Sequence, residues 1–111
     1  MNTVKTLLAA TLATLVISLP AHGDCDLPAA PSKVPDGKTA SEAEMRTSMD
    51  TVKEYNADVE TYLKCLEFER KQNHLTDTEE SRRRNAAIDT LQHVANKFNE
   101  QLKTFKSRTG R

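Results

Sequence analysis

The chain has 111 residues, with 16 Lys and Arg against 16 Asp and Glu, and only two cysteines. That length holds one small domain, and a formal net charge of zero gives no general attraction to nucleic acid or anionic lipid. Two cysteines alone do not complete a zinc site, and neither His74 nor His93 stands at metal-ligand spacing from them.

Residues 1–23 read as a secretory signal. Lys5 supplies a positive start, Thr6 to Leu19 is apolar and uncharged, Pro20 breaks the run, and Ala21 and Gly23 place small residues before a cleavage point at Asp24. The apolar run is shorter than the ~20 residues a bilayer crossing needs, so cleavage is expected and no transmembrane anchor remains. Cleavage removes Lys5 and no acid, leaving 15 basic against 16 acidic residues. Asp24 and His22 before Cys25 break a lipidation pattern, which leaves the Cys25 thiol free to pair. In an exported chain with Cys25 and Cys65 as its only cysteines, a disulfide between them is the expectation. The location expected is periplasmic or secreted.

Residues 24–40 carry Pro28, Pro31 and Pro35. Proline fixes φ and removes amide donors, so this stretch is expected to be an extended, Pro-rich arm. Pro35-Asp36-Gly37 reads as a turn. Ser41 with Glu44 three residues on forms a capping box that starts a first helix, expected over about 42–72. Along it, Met45, Met49, Val52, Asn56, Val59, Leu63 and Leu66 alternate at spacings of four and three, a heptad seam interrupted once by Asn56. Asn73 to Thr76 marks a turn. Thr76 and Glu79 then repeat the capping box, and a second helix is expected over about 77–106 with Ile88, Leu91, Ala95, Phe98, Leu102 and Phe105 as its seam. Residues 108–111 are expected to form a disordered tail after a helical hairpin spanning 41–107.

Two helices of similar length with a short connection lie antiparallel. Folding about the turn sets Met45 against Phe105, Met49 against Leu102, Val52 against Phe98, Asn56 against Ala95, Val59 against Leu91 and Leu63 against Ile88. With Met49, Asn56 and Leu63 as a positions of the first helix, Tyr55 and Tyr62 are g; with Ile88, Ala95 and Leu102 as a positions of the second, Ala87 and Val94 are also g, and the four share one side of the pair, forming a groove with Cys65 at its edge. From Ser41 to Cys65 is roughly 36 Å of helix. The chain from Cys25 to Ser41 reaches about 50 Å as polyproline. The arm can therefore turn at Gly37, run back along the first helix and reach Cys65, with Leu27, Pro28, Pro31 and Val34 over the groove. The fold class expected is all-α: an antiparallel, coiled-coil-like two-helix hairpin with an extended Pro-rich N-terminal arm tied back by one disulfide.

No catalytic constellation emerges. Glu54, Asp58, Glu60, Glu67 and Glu69 read as solvated helix surface, since a helical di-metal site would need Glu-x-x-His pairs that the chain lacks. Arg82-Arg83-Arg84 fans around a helix, with Glu79–Arg83 and Glu80–Arg84 as i,i+4 pairs. Asn56 is read as a register-setting core polar residue. Asp89 and His93 form an i,i+4 pair with no nucleophile near them. No cofactor and no metal ligand are expected.

Cys25, the prolines with Pro35-Asp36-Gly37, Glu44-Met45, Val52, Tyr55, Tyr62-Leu63-x-Cys65-Leu66-Glu67 and Phe98-Asn99 resemble a group of small, uncharacterised exported (periplasmic) helical proteins of Gram-negative bacteria. The resemblance runs over about residues 25–105 and implies a periplasmic, disulfide-tied helical protein, with no substrate or catalytic residue. The function expected is non-enzymatic: protein–protein interaction or a structural role in the cell envelope, with another protein or a second copy as partner. The alternative is a chaperone-like or apolar-ligand-binding module that uses the groove at Tyr55 and Tyr62.

Overall fold

A computed structural model describes residues 25–110. The expected signal at 1–23, with Asp24 and Arg111, lies outside them. Two helices form a hairpin, α1 over Glu42–Lys71 and α2 over Asp77–Thr109. Residues 25–40 hold neither helix nor strand.

Both helices begin where the sequence places capping boxes. Ser41 Oγ accepts from the Glu44 amide at 3.1 Å while the Glu44 carboxylate accepts from the Ser41 amide at 2.6 Å. Thr76 and Glu79 repeat this at 3.1 and 3.2 Å. Each box satisfies amides that have no partner within the helix. The bonds from Ser41 hold the Glu44 carboxyl below the usual carboxylate range.

The first helix ends without glycine. Asn73 takes a left-handed conformation (φ 63°), its amide donates to Arg70 O at 3.0 Å, and the His74 amide donates to Glu69 O at 2.9 Å. These two bonds are the Schellman pattern, and asparagine is the residue besides glycine that enters this region at least cost. The contact that often closes such a motif is polar here: His74 Nδ1 lies 2.6 Å from Glu69 Oε2. Glu69, expected on the solvated surface, is accordingly buried (7% exposed).

Two core clusters run the length of the hairpin. Met45, Phe98, Phe105 and Ala40 form one, with Met49, Val52, Leu102 and Val34 packed on it. Tyr55, Val59, Tyr62, Leu66, Ala87 and Val94 form the other, with Leu63, Leu91, Leu75 and Cys25 packed on it. The grouping of Met45 with Phe105 and of Val52 with Phe98 agrees with the pairing read from the sequence.

One part of that reading needs correction. Asn56 does not lie in the core; it is exposed, and its amide nitrogen donates to Glu60 Oε1 at 3.3 Å. The buried set of α1 recurs as Tyr55, Val59, Tyr62 and Leu66, and that of α2 includes Ala87, Val94, Phe98 and Phe105. Each helix is thus rolled from an a/d seam to a d/g seam, about 60° at 3.6 residues per turn. The roll follows from residues 25–40: Cys25 and Val34 pack on the clusters from the g side. Cover on that side makes it favourable to bury two tyrosine rings there in place of Asn56, whose amide would need a partner indoors.

The C-terminus also departs from the expected disordered tail. Residues 108 and 109 are helical, and α2 ends at Gly110 in a left-handed cap (φ 70°). Arg108 is held in place. Its guanidinium donates to Gly37 O at 3.2 Å and to Ala40 O at 2.5 Å, and lies 5.3 Å from the centre of the Phe105 ring.

Candidate functional site

The g side of the hairpin is where the sequence brings most together. Cys25 and Cys65 are joined by a disulfide. Tyr55, Tyr62, Ala87 and Val94 are all buried, between 2% and 6% exposed, and share one cluster. Burial raises the Tyr55 phenol above its ordinary pKa. Beside these residues lies a cleft of about 490 Å³. Leu27, Pro28, Ala29 and Ala30 make one wall; Tyr55, Tyr62 and Ala87 make the other, with Arg82 and Arg83 also lining it. Val94 does not line the cleft.

Residues 25–40 reach this position from a clasp at the far end of the hairpin. The Asp36 side chain accepts from the Lys38 amide at 2.9 Å, and Asp36 O accepts from the amides of Thr39 and Ala40 at 3.1 and 2.8 Å. That turn presents the Gly37 amide to Gln101 Oε1 at 2.8 Å. The approach is so close that a Cβ on Gly37 would collide with the backbone of Gln101 and lie 2.9 Å from Phe105 N. Glycine is required here for lack of a side chain. Pro35-Asp36-Gly37 signalled a turn, but its target on α2 had no signal in the sequence.

Charged groups near the inter-helix turn are paired. Glu80, buried at the start of α2, accepts from Arg70 of α1 and from Arg84 Nη2 at 3.0 Å. The Glu80–Arg84 pair is the one expected from spacing; Glu79 instead turns its carboxylate to its own cap, so the expected Glu79–Arg83 pair does not form. Lys71, 2.9 Å from Glu67, holds that carboxyl below its usual range. Among the described residues no buried side-chain polar atom lacks a hydrogen-bond partner. No cluster of His, Cys, Asp and Glu among them could hold a metal ion, and none of the described helices is long and apolar enough to cross a membrane. Asp89 and His93 are both exposed.

The opposite side of the hairpin is less covered. Met49, Leu63, Ile88, Ala95 and Leu102, the apolar a positions of both helices, are only partly buried, and Ile88 and Ala95 belong to neither core cluster. On the disulfide edge, Phe68, one turn beyond Cys65, is 59% exposed. No protein-family model, no curated protein and no solved structure matches this chain.

Proposed function

We propose that this is an exported, non-enzymatic helical protein that works by binding another protein, or a second copy of itself, in the cell envelope. In this reading residues 24–40 are the Pro-rich arm that braces one side of the hairpin and leaves the other for a partner. The observation that carries it is the uneven cover. Apolar a-position residues at heptad spacing on both helices are left partly exposed on the side away from the arm. A helix pair gains stability when such a stripe is covered by further helical surface. Export is supported by the Cys25–Cys65 disulfide, since such bonds persist in oxidising compartments.

The test is sedimentation of the protein, combined with a photo-crosslinking residue at Ile88 in cells. The expected outcome is a dimer or a crosslinked envelope protein, lost in Ile88→Lys with helix content kept. A monomer that forms no crosslink from position 88 overturns the reading. Thiol trapping in cell fractions tests export: the chain is expected in the periplasmic or secreted fraction with both thiols blocked by the disulfide.

A second reading, ligand binding at the Tyr55–Tyr62 groove with the arm as lid, is favoured by the cleft between the arm and the two helices.

A further inference from the structure

The partly exposed a positions of the two helices share one centre. On α1, Met49 and Leu63 stand seven residues to either side of Asn56; on α2, Ile88 and Leu102 stand seven residues to either side of Ala95. The register of the hairpin, which groups Met45 with Phe105 and Val52 with Phe98, sets Asn56 level with Ala95. A line drawn across the face at that level has a large apolar residue of each helix about 10.5 Å above it and another about 10.5 Å below. Only Asn56 and the small Ala95 lie on the line itself.

The charges of α1 are centred on the same line. On the flank formed by its a, b and e positions, Glu42, Arg46, Lys53, Glu60, Glu67 and Lys71 run minus, plus, plus, minus, minus, plus. Read from the other end, the sign is reversed at every place, about a midpoint between Asn56 and Ala57. Asp50 and Lys64 repeat the inversion on the outer edge, as do Asp89 and Lys103 on α2. Arg70, the remaining charge on that flank, is held by Glu80. Within one chain Arg46 pairs with Glu42 at 2.7 Å and Lys71 with Glu67 at 2.9 Å. Lys53 and Glu60 are both exposed, and seven residues lie outside the spacings at which helix side chains meet.

Resting on the first reading above, we infer that this face binds a second copy of the chain, turned end for end about a two-fold axis that crosses the hairpin from Asn56 to Ala95. Each helix then packs antiparallel on its own counterpart. Met49 meets Leu63 of the second copy, Ile88 meets Leu102, and a single self-complementary patch serves both chains. Lys53 faces Glu60 of the second copy, Arg46 faces Glu67 and Asp50 faces Lys64, each pair occurring twice. At the axis the two Asn56 side chains meet. A carboxamide carries both donors and an acceptor, so the two can satisfy each other; a slip of one heptad would set each against Met49 or Leu63 without a partner. The face measures about 40 Å by about 20 Å, roughly 800 Å² per copy, the size of a standard specific interface.

The other closed arrangement, with the axis along the helices, sets α1 against α2 of the second copy. It keeps two outer pairs, Asp50 with Lys103 and Lys64 with Asp89. It leaves Lys53 opposite Asn99 and Glu60 opposite Gln92, and it brings Arg46 against Lys106, a like-charge contact. The inner charges therefore select the antiparallel axis.

The test is sedimentation equilibrium of the full chain with Lys53→Glu, Glu60→Lys and the double variant, with helix content checked by far-UV circular dichroism. The parent is expected to dimerise, and each single variant to do so roughly tenfold more weakly, because two attractive pairs become repulsive. An equimolar mixture of the two single variants is expected to associate as tightly as the parent, since their charges are complementary only across the two chains. The double variant is expected to dimerise like the parent and, mixed with it, to sort into like-with-like dimers. A photo-crosslinking residue at Asn56, in mixed isotope-labelled and unlabelled protein, is expected to join tryptic segment 54–64 of one chain to the same segment of the other. Single variants that dimerise like the parent, or a mixture no tighter than its parts, overturn the inference. Should a single variant lose its helices, the sorting experiment decides, and random mixing overturns the inference. Crosslinks from position 56 to segment 85–97 of the other chain overturn the antiparallel axis, while the partner face stands. A monomeric parent overturns the inference as well. An envelope protein crosslinked from position 88 in cells would then leave the binding reading standing, and no crosslink would take both down.

Discussion

Arg108, on the last turn of α2, donates to the carbonyl oxygen of Ala40, next to the N-cap of α1, at 2.5 Å. The contact joins residues far apart in sequence and closes the open end of the hairpin, which the inter-helix turn cannot reach. Arg108→Ala removes this bond and the one to Gly37. The expected cost is about 1 kcal/mol, or a fall in melting temperature of about 4–8 °C for a domain of this size. Circular dichroism on heating checks it, with Arg108→Lys expected to recover only part of the loss because an ammonium does not reproduce the guanidinium fork.

Gly37→Ala is expected to be worse than its size suggests. Its methyl group would meet backbone, not a movable side chain, so the turn must lift away from α2. Overpacking of this kind costs about 1–3 kcal/mol. Urea denaturation is the check, and a variant as stable as the parent would show that the clasp is not a tight contact.

Loss of the disulfide in Cys65→Ser is expected to lower stability by about 4 kcal/mol on the chain-entropy account of a loop this long, while far-UV circular dichroism below the transition stays helical. The cap and core contacts of α1 and α2 do not depend on the bond. Comparing the variant with the reduced parent separates loss of the cross-link from any effect of the serine.

Glu80→Ala leaves Arg70 and Arg84 without their shared acceptor. The expected loss is about 1–3 kcal/mol, and a double-mutant cycle with Arg70→Ala should return a favourable coupling energy, because the two residues tie α1 to α2 directly. Zero coupling would assign the loss to packing of the Glu80 stem.

Acid should weaken the N-terminus of α1. The folded-state pKa of Glu44 is depressed by its bonds to Ser41. Its contribution is therefore fully present above the unfolded carboxyl pKa and disappears as pH falls through the lower folded value. Glu44→Gln keeps the reach of the capping box but cannot titrate. Denaturation midpoints measured between neutral and acid pH should show a shallower acid decline in that variant.

The helices, their caps and their partnering were legible because each has a local signature: a Ser or Thr with Glu three residues on, and apolar residues at spacings of three and four. The roll of the hairpin was not. Asn56 and Tyr55 are sequence neighbours, and which one turns inward depends on a third segment packing from the side, a cost and gain that no helix period contains. Asn73 as the left-handed terminator was hidden for a related reason, since it takes glycine's place without glycine's signal. Arg108 fell in the expected disordered tail because its acceptors are carbonyls of a turn distant in sequence. In the groove, Tyr55, Tyr62, Ala87 and Val94 could be grouped from heptad position alone. That Val94 does not line the cleft, and that Arg82 and Arg83 do, needed three-dimensional placement.

The clasp at Gly37 also bears on how the cross-link is made. Once Gly37 is seated against Gln101, the Cys25 thiol hangs on a leash of roughly a dozen residues that runs beside α1, and its local concentration near Cys65 is of millimolar order. Pairing within the chain then outruns pairing between chains at ordinary protein concentrations. A glycine remote from both sulfur atoms thereby directs the oxidation towards monomeric product, and weakening its seat should divert material into disulfide-linked multimers.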